Sequence, residues 1–388
     1  MTIGIDKIGF ATSQYVLKLE ALAHARGQTP EKYTSGLMLD ELSISPITED
    51  IVTLAASAAD DILTDEDRAS IDMVIMATES GIDQSKAASV CVHHLLGIQP
   101  FARAIEMKEA CYAGTAALNY AKLHVQQYPD RKVLVITSDI AKYGIGSAGE
   151  PTQGAGALAM LVTKKPRILA FLDDNLAQTR DIYDFWRPNY STTPFVDGIY
   201  STKQYLDSLL TTWEEYQKRQ QKDLSQFAAF CLHLPYPKLA LKGLNKLIPK
   251  EMTEEASQRL RDNFDASITY SRKVGNIYTG SLYLGLLSLL ENSQNLKAGD
   301  KIGLFSYGSG AVAEIFSLQL QEDYGKMLRK DRMADLAKRS ALSVAEYEKL
   351  FFEEANVTDD GNATFATYDT GNFALKSIQQ HQRIYVRK

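Results

Sequence analysis

A chain of 388 residues has material for two or three domains or for one large α/β unit, and its 45% hydrophobic and 23% charged residues exclude a disordered or fibrous class. A net charge of −6 speaks against general nucleic-acid binding, which needs a basic surface, but leaves room for a local Lys/Arg cluster that holds the phosphates of a small ligand. Three cysteines, Cys91, Cys111 and Cys231, leave one over in any disulfide scheme and show no CxxC spacing, as expected of a reduced, intracellular protein.

Residues 1–10 lack the basic start and apolar run of a signal peptide, and the longest apolar run, 281–290, falls short of the ~20 residues of a membrane span. The expectation is a cytoplasmic chain with no membrane contact. In chain order, residues 3–11 read as a strand and 48–63 as an amphipathic helix with Ile51, Leu54, Ala55, Ala58 and Ile62 on one face. Between them, 19–36 is turn-rich and carries Arg26, Thr29 and Lys32. Met73 to Ala77 is a short apolar run of the buried parallel-strand kind, ending at Thr78-Glu79. A helix over 85–96, a helix opening at Cys111, and strands over 132–137 and 156–162 complete the first part.

The second part repeats this order. Residues 168–172 give an opening strand, and 227–232 a strand that ends at His233 as 73–77 ends near Glu79. Ile277-Tyr278-Thr279-Gly280-Ser281 mirrors the helix start at Cys111-Tyr112-Ala113-Gly114-Thr115. Residues 301–306, Gly308-Ser309-Gly310 and 311–318 mirror the strand, glycine loop and strand of the first part. The pattern predicts two similar α/β halves, 1–165 and 166–388, with Glu79, Cys111 and His233 converging on one central cleft at the carboxyl ends of strands. Long helices over 203–221 and 254–263, a Ser343–Glu346 capping box and closing strands over 363–386 read as structural.

Cys111 is the centre of the chemical argument. A thiol at a helix start feels the positive end of the peptide dipoles, which favours the thiolate, and Gly114 would keep space open above the sulfur. The plainer alternative is a small buried hydrophobe. Two decoys are set aside. Gly144-Ile145-Gly146-Ser147-Ala148-Gly149 matches the dinucleotide string, but Pro151 and the strand that follows deny it the helix it must open. His93 and His94, adjacent on a helix, point about 100° apart and cannot share a metal.

With these residues in hand, the sequence resembles the bacterial-type 3-hydroxy-3-methylglutaryl-CoA synthases of the thiolase superfamily. The motifs that carry the resemblance run in the family's order: Ala77-Thr78-Glu79-Ser80, Lys108 to Thr115, Pro151 to Ala157, Val196 to Ser201, His233 to Lys238, and Gly275 to Thr279. The resemblance implies a five-layered αβαβα fold and a homodimer. It also implies Claisen-type condensation of acetyl-CoA with acetoacetyl-CoA in the mevalonate pathway, with CoA thioesters as substrates and no separate cofactor or metal.

By the same resemblance Cys111 is the acetylated nucleophile, Glu79 the general base and acid, and His233 the group that engages acetoacetyl-CoA. Tyr143, Thr152, Ser201, Lys242, Asn276 and Ser309 match positions around the acyl-CoA. Arg26, Thr29 and Lys32 fall in a segment that borders the CoA nucleotide, and Lys238 stands beside Lys242 on what could equally be a solvated helix face. The long insertions of eukaryotic relatives are absent.

The chemistry asks for these residue types. A thiolate both attacks a thioester and leaves again; the N–H groups of Cys111 and of the 308–310 turn could hold the oxyanion; a partly desolvated Glu79 gains the basicity to take a proton from an acetyl methyl. Three rivals stand beside this reading. One is a relative that performs the condensation on carrier-protein-bound substrates. Another is a thiolase-fold ketosynthase, against which Glu79 speaks. The third is a non-catalytic acyl-CoA binding protein.

Overall fold

A computed structural model describes residues 1–388. Nine strands form the main path of one large sheet: β1 (Ile3–Thr12), β2 (Ile71–Ala77), β3 (Arg103–Met107), β4 (Lys132–Ile140), β5 (Ala155–Lys164), β6 (Leu169–Phe171), β7 (Ala229–Leu232), β8 (Lys301–Gly308) and β9 (Val312–Leu320). Their spatial order is β7-β8-β9-β6-β1-β5-β4-β2-β3, and Leu176–Thr179 adds a tenth strand beside β9.

The duplication is visible in that order. Counted within each half, the first runs 3-2-4-5-1, and the second runs 2-4-5-1 with nothing in place of strand 3. Strands 2 and 4 are parallel in both halves, and 4–5 and 5–1 antiparallel. The two first strands, β1 and β6, meet antiparallel at Gly4–Ala170 and Ile5–Leu169 and join the halves.

Alternating side chains split the sheet's two faces between different cores, as the period of two requires. Met73 and Ile75 of β2 and Val133 and Val135 of β4 point inward, into one core shared with Ile302, Leu304, Phe316 and Leu318 of the second half. Their neighbours Val74, Met76, Leu134 and Ile136 point outward against α1 (Ile51–Asp60) and α2 (Ala88–Leu95). In the second half Phe230, Leu232, Phe305 and Ile315 face α4 (Gly198–Gln220), α5 (Pro237–Leu247) and α6 (Glu254–Ile268), whose Leu209, Trp213, Leu239, Leu244 and Phe264 fill a third core.

Between the sheet faces lie α3 (Ala113–Gln127) and α7 (Ser281–Asn292). The layers are therefore helix, sheet, helix, sheet, helix. No helix is long and apolar enough to cross a membrane.

Local chemistry trims several predicted ends. The 48–63 helix begins at Ile51 because the Asp50 carboxylate caps it, accepting from the N–H of Val52 at 3.0 Å and of Thr53 at 3.2 Å. The turn-rich 19–36 segment holds two short helices, Leu19–Ala25 and Glu31–Thr34. The Ser343–Glu346 capping box forms as expected and opens α8 (Val344–Phe351). The 144–149 glycine string is a loop followed by a 3₁₀ turn at Glu150–Thr152 and then β5, with no helix to bind a dinucleotide.

Candidate active site

The site is built where β2, β4 and β8 end. Asp139, the last but one residue of β4, is fully buried and ties both halves together. Its Oδ1 accepts from the Thr78 hydroxyl at 2.9 Å, the Glu79 N–H at 2.9 Å and the Ser80 hydroxyl at 2.8 Å. Its Oδ2 accepts from the N–H of Thr279 at 3.1 Å and from that residue's hydroxyl. Glu79 is thereby held at the end of β2 with its side chain aimed at Cys111. The thiol donates to Glu79 Oε1 across 3.0 Å.

Burial first, then the Asp139 charge, pushes Glu79 up to about 8, against a lowering contribution from the Cys111 hydrogen bond and from Arg187. Cys111 itself is raised well above the ordinary thiol range by burial and by the charges of Glu79, Asp139 and Asp184. This reverses the expected lowering. Cys111 precedes the helix, which starts at Ala113, and a helix dipole contributes ~1 kcal/mol, whereas burial among carboxylates moves a pKa by several units. The resting pair is a neutral thiol donating to a carboxyl.

Gly114 also differs from expectation. A Cβ there would come within 2.7 Å of Thr137 Cγ2 and 3.0 Å of both the Thr279 carbonyl and the Tyr283 ring, so its role is close packing of α3 and not open space above the sulfur.

His233 follows the last residue of β7. Its N–H donates to the Phe305 carbonyl at 2.8 Å, prolonging the parallel pairing with β8, and its carbonyl accepts from the Tyr205 hydroxyl at 2.8 Å. It is 3% exposed, and burial pushes it down to about 3, so the imidazole is neutral. Three residues beyond Phe305, Gly308 lies against the loop that carries Cys111: a Cβ there would be 2.6 Å from Tyr112 Cβ and 2.7 Å from the Glu109 carbonyl. Strand β8 thus carries the His233 side of the cleft to the Cys111 side.

The remaining expected residues separate into three sets. Tyr143 is in the site: Asn276 Nδ2 donates to its hydroxyl at 2.8 Å, its ring meets Tyr278 and Phe185 edge-on at 5.8 and 5.9 Å, and its hydroxyl is raised by burial and then by Cys111 and Glu79. Ser309 occupies the turn after β8. Asn276 and Thr152 are joined to each other, for the Asn276 N–H donates to the Thr152 carbonyl at 2.9 Å, and the Thr152 hydroxyl donates to the Gly149 carbonyl at 2.8 Å.

A second set lies away from the Cys111 group. Lys238 and Lys242 lie one turn apart on α5 without a carboxylate partner, and the Lys238 N–H donates to the Leu37 carbonyl at 3.2 Å, bringing the 29–37 segment with exposed Thr29 and Lys32 alongside. Ser201 sits in the first turn of α4, with its N–H on the Asp197 carbonyl at 2.8 Å and no hydrogen bond to the Cys111 group.

Arg26 stands apart. Its guanidinium is taken by buried Glu150, at 2.9 and 2.8 Å, and by Glu348 at 2.7 Å, so it braces the 144–150 loop against α8. Sequence reasoning missed Asp139, although a lone acid closing an apolar strand was a signal. It also missed Arg187, for which irregular chain gave none.

A half-buried thiol hydrogen-bonded to a raised carboxyl, on two thiolase-like halves that also carry a buried neutral histidine, matches a carbon–carbon condensing enzyme of the thiolase class. Family models described as hydroxymethylglutaryl-coenzyme A synthase N terminal and C terminal match residues 2–166, and 172–269 with 244–388. The chain is 53% identical to the hydroxymethylglutaryl-CoA synthase of Enterococcus faecalis over 386 residues, 99% of this chain and 100% of that one. It superposes on a crystal structure of an HMG-CoA synthase complexed with CoA with a TM-score of 0.99 and 65% identity, covering both chains fully. A polyketide 3-hydroxy-3-methylglutaryl-ACP synthase of Bacillus subtilis is 30% identical over 419 residues, 100% of this chain and 97% of that one. The chain belongs to the hydroxymethylglutaryl-CoA synthase family and is an acyl-CoA condensing enzyme.

Proposed function

We propose that this chain condenses acetyl-CoA with acetoacetyl-CoA and water to give 3-hydroxy-3-methylglutaryl-CoA and CoA, the hydroxymethylglutaryl-forming step of the mevalonate pathway. The observation that carries the division of labour is the 3.0 Å contact between the Cys111 thiol and Glu79. Glu79 accepts the thiol proton as Sγ attacks the acetyl thioester, and returns it to the departing CoA sulfur. The N–H groups of Cys111 and Ser309 have no carbonyl partner within the chain and are free to hold the oxyanion.

Glu79, again a carboxylate, next removes a proton from the acetyl methyl. The carbanion equivalent attacks the C3 ketone of acetoacetyl-CoA, whose oxygen takes a hydrogen bond from the neutral His233 ring, and protonated Glu79 neutralises the alkoxide. Water then cleaves the thioester to Cys111. These steps call on no cofactor beyond the CoA thioesters themselves. Lys32, whose ammonium donates to Gln28 at 2.8 Å, and Lys238 and Lys242, none of them facing a carboxylate, supply the rim on which CoA phosphates would rest.

A homodimer suits the free edge of β3, beside which Phe101, Tyr120 and Leu123 are exposed. A cytoplasmic site of action suits the free thiols.

Incubation with acetyl-CoA followed by intact-mass analysis should show one acetyl group on Cys111. Addition of acetoacetyl-CoA should clear it with release of CoA. Absence of the adduct would sink the assignment; an adduct consumed only by a carrier-bound acceptor would transfer the chain to the polyketide type.

A further inference from the structure

Carboxylates crowd the nucleophile. Glu79, Asp139 and Asp184 bear on Cys111, and Asp139 and Glu109 bear on Glu79, all as like charges. The cation facing Glu79 is Arg187. It follows the short strand Phe185–Trp186, which pairs with Phe195–Val196 in a two-stranded hairpin. Phe185 seats this hairpin in the site by packing on Tyr143 and Tyr278, at 5.9 and 6.0 Å between ring centres.

From there Arg187 Nη2 donates to the main-chain carbonyl of Glu79 at 2.5 Å. The rest of the guanidinium is exposed, forms no ion pair with a carboxylate of the chain, and has four further N–H donors to offer.

The reacting ends of the acetyl and acetoacetyl groups carry no charge, so neither gives this arginine an ionic partner. The last step of the reaction creates one. Water adds its oxygen to the acyl carbon, the carbon–sulfur bond breaks, Sγ recovers a proton, and the acid formed loses its own. The resulting carboxylate stands on the carbon that was bonded to Sγ, whose sulfur is 3.0 Å from Glu79. Glu79 and Asp139 repel it there. A planar guanidinium with free donors is the side chain best matched to a carboxylate.

We propose that Arg187 moves from the Glu79 carbonyl to the newly formed carboxylate of the product, so that hydrolytic release and recognition of the product depend on it far more than acetylation and condensation do. The inference rests on the reaction assigned above.

The test uses wild type, R187Q and R187K. Wild type must first acetylate on Cys111 and turn over; if it does not, the assigned reaction itself fails before any variant is examined. R187Q should still form the acetyl adduct, which also shows that it is folded, at a rate within several-fold of wild type because losing the Arg187 charge lets Glu79 rise further. It should then accumulate the hydroxymethylglutaryl adduct on Cys111, with hydrolysis slowed on the order of 10- to 100-fold, the range of a charge-assisted hydrogen bond. Its affinity for 3-hydroxy-3-methylglutaryl-CoA should fall by about tenfold or more with that for acetoacetyl-CoA unchanged, and R187K should fall between the two. An R187Q protein that clears the adduct and binds the product as wild type does overturns the proposal. Failure of R187Q at acetylation also overturns it, because Arg187 would then act through Glu79 and not on the product.

Discussion

The Cys111 thiol and the Glu79 carboxyl share one hydrogen bond of 3.0 Å, and each raises the other's cost of ionisation or relieves it depending on which holds the proton. Glu79→Ala therefore has two opposed effects on acetylation. The proton acceptor is lost, but so is the like charge that holds the thiol up. Acetylation should slow by about tenfold at most, whereas condensation, which has no other base, should fall by on the order of 10²–10⁴. Single-turnover mass analysis separates the two rates; equal losses in both would refute this division.

Burial sets the pH response. Glu79 titrates near 8, and the condensation base must be ionised, so kcat/KM should rise with pH through about 8 and level off above it. The stability signs follow from where each state holds its protons. Folded Glu79 keeps its proton up to about 8 and the unfolded residue loses it near 4.5, so its contribution to stability declines as pH rises through that window. His233 takes up a proton near 3 when folded and near 6.5 when unfolded, so its contribution declines as pH falls from 6.5 toward 3. Denaturant titrations across pH should show the first slope flattened in Glu79→Gln and the second in His233→Asn.

Gly308→Ala should damage catalysis more than folding. The added methyl meets Tyr112 Cβ at 2.6 Å and the Glu109 carbonyl at 2.7 Å, neither of which is the end of a flexible side chain. Overpacking of this kind costs ~1–3 kcal/mol, and the relief available is movement of the loop that carries Cys111. A protein that unfolds cooperatively but acetylates far more slowly is expected from paired denaturation and mass measurements. Unchanged acetylation would show that the loop does not need this contact.

Arg26→Gln separates bracing from CoA binding. Glu150 is 2% exposed and would be left without its bidentate partner, a loss on the order of 3 kcal/mol in unfolding free energy. KM for acetyl-CoA should stay close to wild type. A raised KM with unchanged stability would return Arg26 to the CoA site.

Local strain marks the loop that carries Cys111. Ala110 has φ +41°, a left-handed value that glycine adopts at little cost. Ala110→Gly should be as stable as wild type or more so, while Ala110→Val should lose ~1–3 kcal/mol by thermal unfolding.

Much of this was legible in the chain because it is local or repeated. The apolar runs of β2, β4, β7 and β8 needed no partner to be recognised, and the repetition of strand, helix start and glycine turn implied two equivalent halves. The ordered motifs around Glu79, Cys111 and His233 then pointed to the family. What the chain could not show were relations between distant residues. Asp139 binds Thr78, Glu79, Ser80 and Thr279 at once only because two halves fold onto each other.

Arg26, expected beside the CoA nucleotide, braces Glu150 instead, and Arg187, for which the chain suggested no role, meets the Glu79 carbonyl, since an arginine's function is set by the acid or carbonyl it meets. The thiol was misjudged for the same reason. A helix start is written in sequence, but the burial and the ring of carboxylates that outweigh its dipole are properties of the assembled cleft. Sequence alone determined which groups this protein carries and in what order. Tertiary structure decided their protonation, because desolvation and Coulomb energies depend on distances that the chain acquires only when folded.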